Sequence, residues 1–70
     1  MVEKTIELTG ISANSIEDAV SLAVARAAVT IEGIRQAQIV DVVANVDKSK
    51  ITTWRVKVKI TFAVQDHLHE

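Results

Sequence analysis

Few side chains in this 70-residue chain are of a type and spacing that could do chemistry. The only histidines, His67 and His69, stand in the terminal run 65–70 beside Asp66 and Glu70. Extended, that run could offer two imidazoles to a transition metal, but a solvated polar tail is the simpler reading. Nucleophilic catalysis needs a base beside its nucleophile, and with both imidazoles in the tail a triad is not expected. There is no Cys, which removes a thiol nucleophile, a disulfide framework and any Cys-containing metal site. Gly10 and Gly33 are too far apart for a phosphate-cradling loop or a dinucleotide fingerprint, and read as turn or cap glycines. Carboxylates for acid–base work would have to come from Glu32, Asp41 or Asp47, which share no obvious cleft. The chemistry that remains is electrostatic: Arg55, Lys57 and Lys59 alternate along one segment and could hold phosphate, or form a solvated, ion-paired sheet face. No enzyme activity is expected.

The elements that must carry these residues follow from the pattern. Residues 2–9 alternate as a half-buried strand, with Val2, Ile6 and Leu8 on one side and Glu3, Thr5, Glu7 and Thr9 on the other, and Gly10 ends it. Ser12, Asn14 and Ser15 are N-cap candidates, and the spacing from Ser15 to Asp18 resembles a capping box, so a helix starts between 13 and 16. It is expected to run to Glu32, with Gly33 as its left-handed C-terminal residue. One helix face carries Ile16, Val20, Ala23, Val24, Ala27 and Ile31; Leu22, Ala25 and Val29 lie opposite. Residues 35–47 form a second strand whose alternation slips near Val42 and Val43, which suggests two-sided burial or a bulge. Lys48, Ser49 and Lys50 form a turn. Residues 51–64 hold a period of two, with Trp54, Val56, Val58, Ile60, Phe62 and Val64 facing one way and Thr53, Arg55, Lys57, Lys59 and Thr61 the other.

Strand, helix, strand, strand is an α+β arrangement. A right-handed crossover followed by a hairpin gives one three-stranded antiparallel sheet with a single helix packed on it. The third strand is expected in the middle, where Glu3 and Glu7 face Lys57 and Lys59 across the sheet. One domain spans residues 1–70, and its hydrophobic content of 49% is high for so short a chain. A domain of this size hides only about 60% of the surface its unfolded form exposes, so without disulfides it needs further burial, and self-association supplies it. The net charge of −1 gives no long-range pull toward nucleic acid, and the sheet face lacks the aromatic rings that stack on single strands. No stretch approaches the roughly 20 apolar residues of a membrane span or the core of a signal peptide, so the chain reads as cytoplasmic.

Three segments carry a resemblance: Thr5-Ile-Glu-Leu-Thr-Gly-Ile-Ser12, Ala25-Arg-Ala-Ala-Val-Thr-Ile31 and Trp54-Arg-Val-Lys-Val-Lys-Ile-Thr-Phe62. In order and spacing, from Val2 to Val64, the chain resembles the dodecins, small flavoproteins of bacteria and archaea. The resemblance implies a β-α-β-β protomer assembled into a hollow homododecamer, helices outside and sheets lining the interior. It also implies flavins bound in pairs at two-fold positions, each against a Trp near the start of the second strand and held by a Gln on the third. Those positions fall on Gln36 and Arg55 here. Both depart from the family: Gln36 removes a stacking surface, while Arg55 can still stack or bind phosphate. Trp54 has the opposite parity from Arg55 and is expected in the core or at a subunit contact. The expected ligand is riboflavin or FMN, with affinity reduced by the two departures. Some dodecin-like proteins lacking the Trp bind calcium, and Asp41, Asn45 and Asp47 offer oxygens at alternating positions, although calcium wants six to eight ligands. Gln36, Arg55 and Asp41 are therefore the candidate binding residues of a non-catalytic shell, with a flavin-free structural or calcium-binding assembly as the alternative.

Overall fold

The computed structural model describes residues 1–64, so the tail with His67 and His69 lies outside the described residues. Its elements are β1 (Val2–Ser12), α1 (Ile16–Ala28), β2 (Ile34–Asp47) and β3 (Lys50–Val64). The sheet has the order β1-β3-β2 with both pairings antiparallel, so the strand with the longest unbroken alternation sits in the centre. Val56, Val58 and Ile60 on that strand are fully buried. They meet a row of three buried alanines on α1, Ala19, Ala23 and Ala27, spaced four apart so that they stack along one helix stripe. Ile16, Val20, Val24 and Ile31, expected in the innermost row, are half-buried around it, and Ala19 takes the place closest to the sheet.

Small residues lie between helix and sheet because the two backbones approach closely there. Gly10 does not end β1. The strand continues through it to Ser12, and a Cβ at Gly10 would collide with the carbonyl of Ala19. A strand is weakened by glycine in its interior, yet here the missing side chain is what lets the helix lie down on the strand. The loop that follows is tied by hydroxyls. The Ser12 Oγ accepts from the backbone N–H groups of Asn14 (2.9 Å) and Ser15 (3.3 Å) and donates to the Asp18 carboxylate at 2.7 Å. Ser15 is the N-cap, its Oγ accepting from the Asp18 N–H at 2.9 Å. Only half of the capping box forms, because the Asp18 carboxylate is engaged by Ser12.

The helix ends at Ala28, a turn earlier than its composition suggests. The N–H groups of Thr30 and Ile31 both return to the Ala27 carbonyl, which closes the helix before Glu32. Gly33 has a left-handed φ of 77° but is not the helix cap; it sets the bend into β2, where its carbonyl accepts from the Ala63 N–H at 3.1 Å. The β2–β3 hairpin turns on Lys48 (φ 52°) and Ser49 (φ 67°), with Asp47 and Lys50 as its closing pair. Positive φ at both central residues is the geometry of a type I′ turn, adopted here without the usual Asn-Gly.

The described residues measure 60 × 19 × 12 Å, with a radius of gyration of 15.0 Å. A compact chain of this length has a radius near 11 Å. The excess is strand that extends past the helix. Apolar side chains stay exposed along β2 and the hairpin, among them Ile39, Val40, Val43, Val46 and Ile51. On the outer side of α1, Leu22 and Val29 are exposed as well.

Two substitutions test this packing, each read as the urea midpoint at fixed protein concentration. Gly10→Ala is expected to destabilise the fold by about 2–3 kcal/mol, since the helix must move off the strand; a change below about 0.5 kcal/mol would contradict the close approach. Trp54 packs against the core cluster from its half-buried site, so Trp54→Ala is expected to cost about 2 kcal/mol.

Candidate ligand site on the open sheet face

Register decides which residues share a face, because paired residues on neighbouring strands point the same way. The helix side of β3 carries Trp54, Val56, Val58, Ile60 and Phe62, and Ala44, Val42, Ile39, Ala37 and Ile34 are their β2 partners. Arg55, Lys57, Lys59 and Thr61 point to the other side, over which no helix of the described residues lies. Their β2 partners are Val43, Asp41, Gln38 and Gln36, and their β1 partners are Ile11, Thr9, Glu7 and Thr5. The open face is thus a ladder of cross-strand rows: Ile11–Arg55–Val43, Thr9–Lys57–Asp41, Glu7–Lys59–Gln38 and Thr5–Thr61–Gln36.

Two irregularities in β2 create this arrangement. Ile39 pairs with Val58 and Asp41 with Lys57, leaving Val40 as an extra residue, and Arg35 is extra in the same way between Ile34 and Gln36. Each inserted residue reverses the alternation, so Gln36 and Gln38 share a face with Asp41 and Val43 rather than with Val40 and Val42. The slip in β2 therefore lies at Val40; Val42 and Val43 are regularly paired with Val56 and Arg55. A third register shift falls between Asn45 and Val46, close to the hairpin. The expected charge pairing is half correct. Glu7 is the register partner of Lys59, whereas Glu3 lies opposite Ala63, and Lys57 meets Thr9 and Asp41.

All three candidate residues are exposed on this face. Arg55 and Asp41 come together with Thr9, Val43 and Lys57 around a shallow hollow of about 210 Å³. Gln36 does not join them. It sits in the Thr61 row, and the β3 stretch from Thr61 to Arg55 spans about 20 Å at roughly 3.3 Å per residue. Within one chain, Gln36 and Arg55 cannot grip the same small ligand. The oxygens of Asp41, Asn45 and Asp47 are likewise spread along β2, with the Asn45 amide donating to the Thr53 hydroxyl at 2.8 Å and Asp47 at the hairpin opposite Lys50. Among the described residues, no three His, Cys, Asp or Glu side chains gather as a metal site would require.

Thr9, Val43 and Ile11 do not stand out in the sequence as binding residues, since each reads as an ordinary strand residue. Only the register reveals them as neighbours of Arg55 and Lys57. Two other hollows exist among the described residues. One of about 580 Å³ surrounds the bend from Glu32 to Arg35 and Ala63; the other, about 500 Å³, is a groove between α1 and β2 bordered by Ile16, Val20 and Ile39. Neither brings candidate residues together. No helix among the described residues is long and apolar enough to cross a membrane.

The comparisons with known proteins agree with this fold. The family model of the dodecins matches residues 2–65. No curated protein matches the chain. Among solved structures, the dodecin from Streptomyces davaonensis superposes with a TM-score of 0.85 at 20% identity, covering 93% of this chain and 96% of that one. The dodecin from Streptomyces coelicolor gives 0.86 at 23% identity, covering 93% of each. Calcium dodecin from Mycobacterium tuberculosis, described as a calcium-chelating immunodominant antigen, gives 0.80 at 30% identity and covers both chains fully. With the β-α-β-β order, the central third strand and a family match over nearly its whole length, the chain belongs to the dodecin family.

Proposed function

We propose that this chain is a non-catalytic, ligand-sequestering shell: copies associate into a homododecamer through their uncovered sheet, and a small ligand, flavin or flavin nucleotide, is held in the seams between them. The observation that carries this reading is the open face, where Gln36, Arg55 and Asp41 all project from a sheet side that no part of the described chain covers. Because Gln36 and Arg55 stand about 20 Å apart on one protomer, a ligand touching both must lie between protomers. Apolar side chains exposed along β2 and the hairpin supply the burial that association needs.

The residues suit a flavin in part. Arg55 offers a planar cation with the apolar Ile11 and Val43 as register partners, which matches the edge of a flat heteroaromatic ring or a phosphate. Gln36 offers hydrogen bonds but no stacking face. When bound, a flavin would bring its own redox and light chemistry; the protein's part is to hold the ring out of water.

Calcium is the second reading, favoured by the 30% identity to calcium dodecin over both full chains. Against it, Asp41 lies directly across from Lys57 and diagonal to Arg55, so the hollow around it carries a surplus of positive charge. A calcium ion needs six to eight oxygens, which here would have to come from several protomers and water.

Titration of riboflavin and FMN with the purified protein separates the readings. Flavin fluorescence is expected to quench as protein is added, and Gln36→Trp is expected to tighten binding by up to about tenfold, the worth of one aromatic stack. Absence of quenching at high protein concentration would contradict the flavin reading. Chelation of divalent ions is expected to leave the unfolding midpoint unchanged; a fall of several degrees would instead favour calcium, since a ion bound only to the native form raises apparent stability.

A further inference from the structure

We infer that the tip of the β2–β3 hairpin is a docking element that enters the groove between α1 and β2 of a neighbouring copy. The inference rests on the reading that copies associate, and it names two surfaces that lie away from the open sheet face. Its ground is the third register shift. Asn45 pairs with Thr53 and Val46 with Ile51, so Thr52 is an extra residue in β3, held by a hydrogen bond from its hydroxyl to the Asn45 carbonyl at 3.2 Å. Val46 follows Asn45 directly and so faces the other way, toward the helix side, and its register partner Ile51 goes with it. The helix-side rows Val42–Val56 and Ala44–Trp54 thereby gain an apolar neighbour, Val46–Ile51. No helix of the described residues covers that row: Val46 is 62% and Ile51 54% exposed.

The groove complements the tip in shape and charge. It encloses about 500 Å³, with apolar walls from Ile16 and Val20 on α1 and Ile39 on β2, and Glu17 and Ser21 complete the lining. Ile39 and Val46 stand roughly 20 Å apart along β2, so a chain cannot fill its own groove with its own tip. A second copy can. Glu17 is the one charged side chain that lines the groove. At the tip, Lys50 has Asp47 across from it, while Lys48, in the turn itself, has no acid opposite. Lys48 and Ser49 also hold φ values of 52° and 67°, a conformation that turns normally give to Gly or Asn. A lysine kept under that strain marks the tip as more than a connection, and an ammonium set against Glu17 gives it a use. Tip and groove are different surfaces of one chain, so the contact is heterologous: each copy gives a tip to the next, and the series ends only by closing into a ring.

The chain has no cysteine, so introduced thiols report the contact directly. In the assembled protein, Ser21→Cys and Ser49→Cys in one chain, treated with a short bismaleimide, are expected to give covalent species larger than dimers on a denaturing gel. Either substitution alone should give no linked species, and the two single variants assembled together should stop at dimers. Linking by Ser21→Cys alone would set two grooves face to face and overturn the inference. So would a groove thiol that a simple maleimide labels as fast in the intact particle as in the urea-unfolded chain, since the groove would then be open to solvent or to a small ligand. Dissociation on dilution gives a second reading. Ile51→Ala is expected to raise the dissociation concentration about tenfold, and Glu17→Lys about threefold, with Lys48→Glu in the same chain restoring it; no change with Ile51→Ala, or no restoration, counts against the contact. An unaltered chain that is monomeric would overturn association itself, whereas an intact particle without the mixed link overturns this contact alone.

Discussion

One mismatch of lengths governs this protein. The helix has 13 residues and is about 20 Å long, while the central strand has 15 residues and reaches about 50 Å. A single helix laid on such a sheet covers part of one face and none of the other. The chain answers with a dense but short core, three alanines against Val56, Val58 and Ile60, and among the described residues the ends of its strands and one sheet face are left uncovered. The proposed self-association and the proposed ligand binding both draw on that uncovered surface.

The close approach at Gly10 is the local feature that makes the short core work. Gly10 and Ala19 bring the backbones near enough for small side chains to fill the gap, and the Ser12–Asp18 bond fixes where the helix starts after the strand. With the helix pinned to that end of the sheet, the other face is free to carry polar rows. The extra residues in β2 then decide which ones. Val40 moves Asp41 and Val43 to the open face, and Arg35 does the same for Gln36, so the candidate site exists because β2 is irregular.

Sequence pattern reaches some of this and not the rest, for physical reasons that differ by element. The third strand is legible because Trp54 to Val64 alternate without interruption, and its central place follows from a strand buried on its helix side along most of its length. The Ser15 cap is legible because a hydroxyl three residues before an acid has few other uses. Gly10 reads as a strand end because a glycine's local preference carries no trace of the helix that crosses above it. The end of α1 is equally hidden: Val29, Thr30 and Ile31 do not forbid helix, and the stop comes from the carbonyl of Ala27 and the tie between Gly33 and Ala63. Bulges are the hardest case, since Val40 and Val42 are chemically alike and either could be the extra residue; placing it two residues away changes which side chains share the site. Gln36 and Arg55 are picked out by family resemblance, while their separation along the sheet emerges only from register.

The length mismatch is tested most directly by the mass of the folded species in solution. Light scattering on the purified chain, followed down to micromolar dilution, should give a particle many times the 7.6 kDa of one copy, with the folded signal lost only as that particle dissociates. A stable 7.6 kDa species that unfolds cooperatively would show that one copy does cover its own sheet, and would contradict the claim.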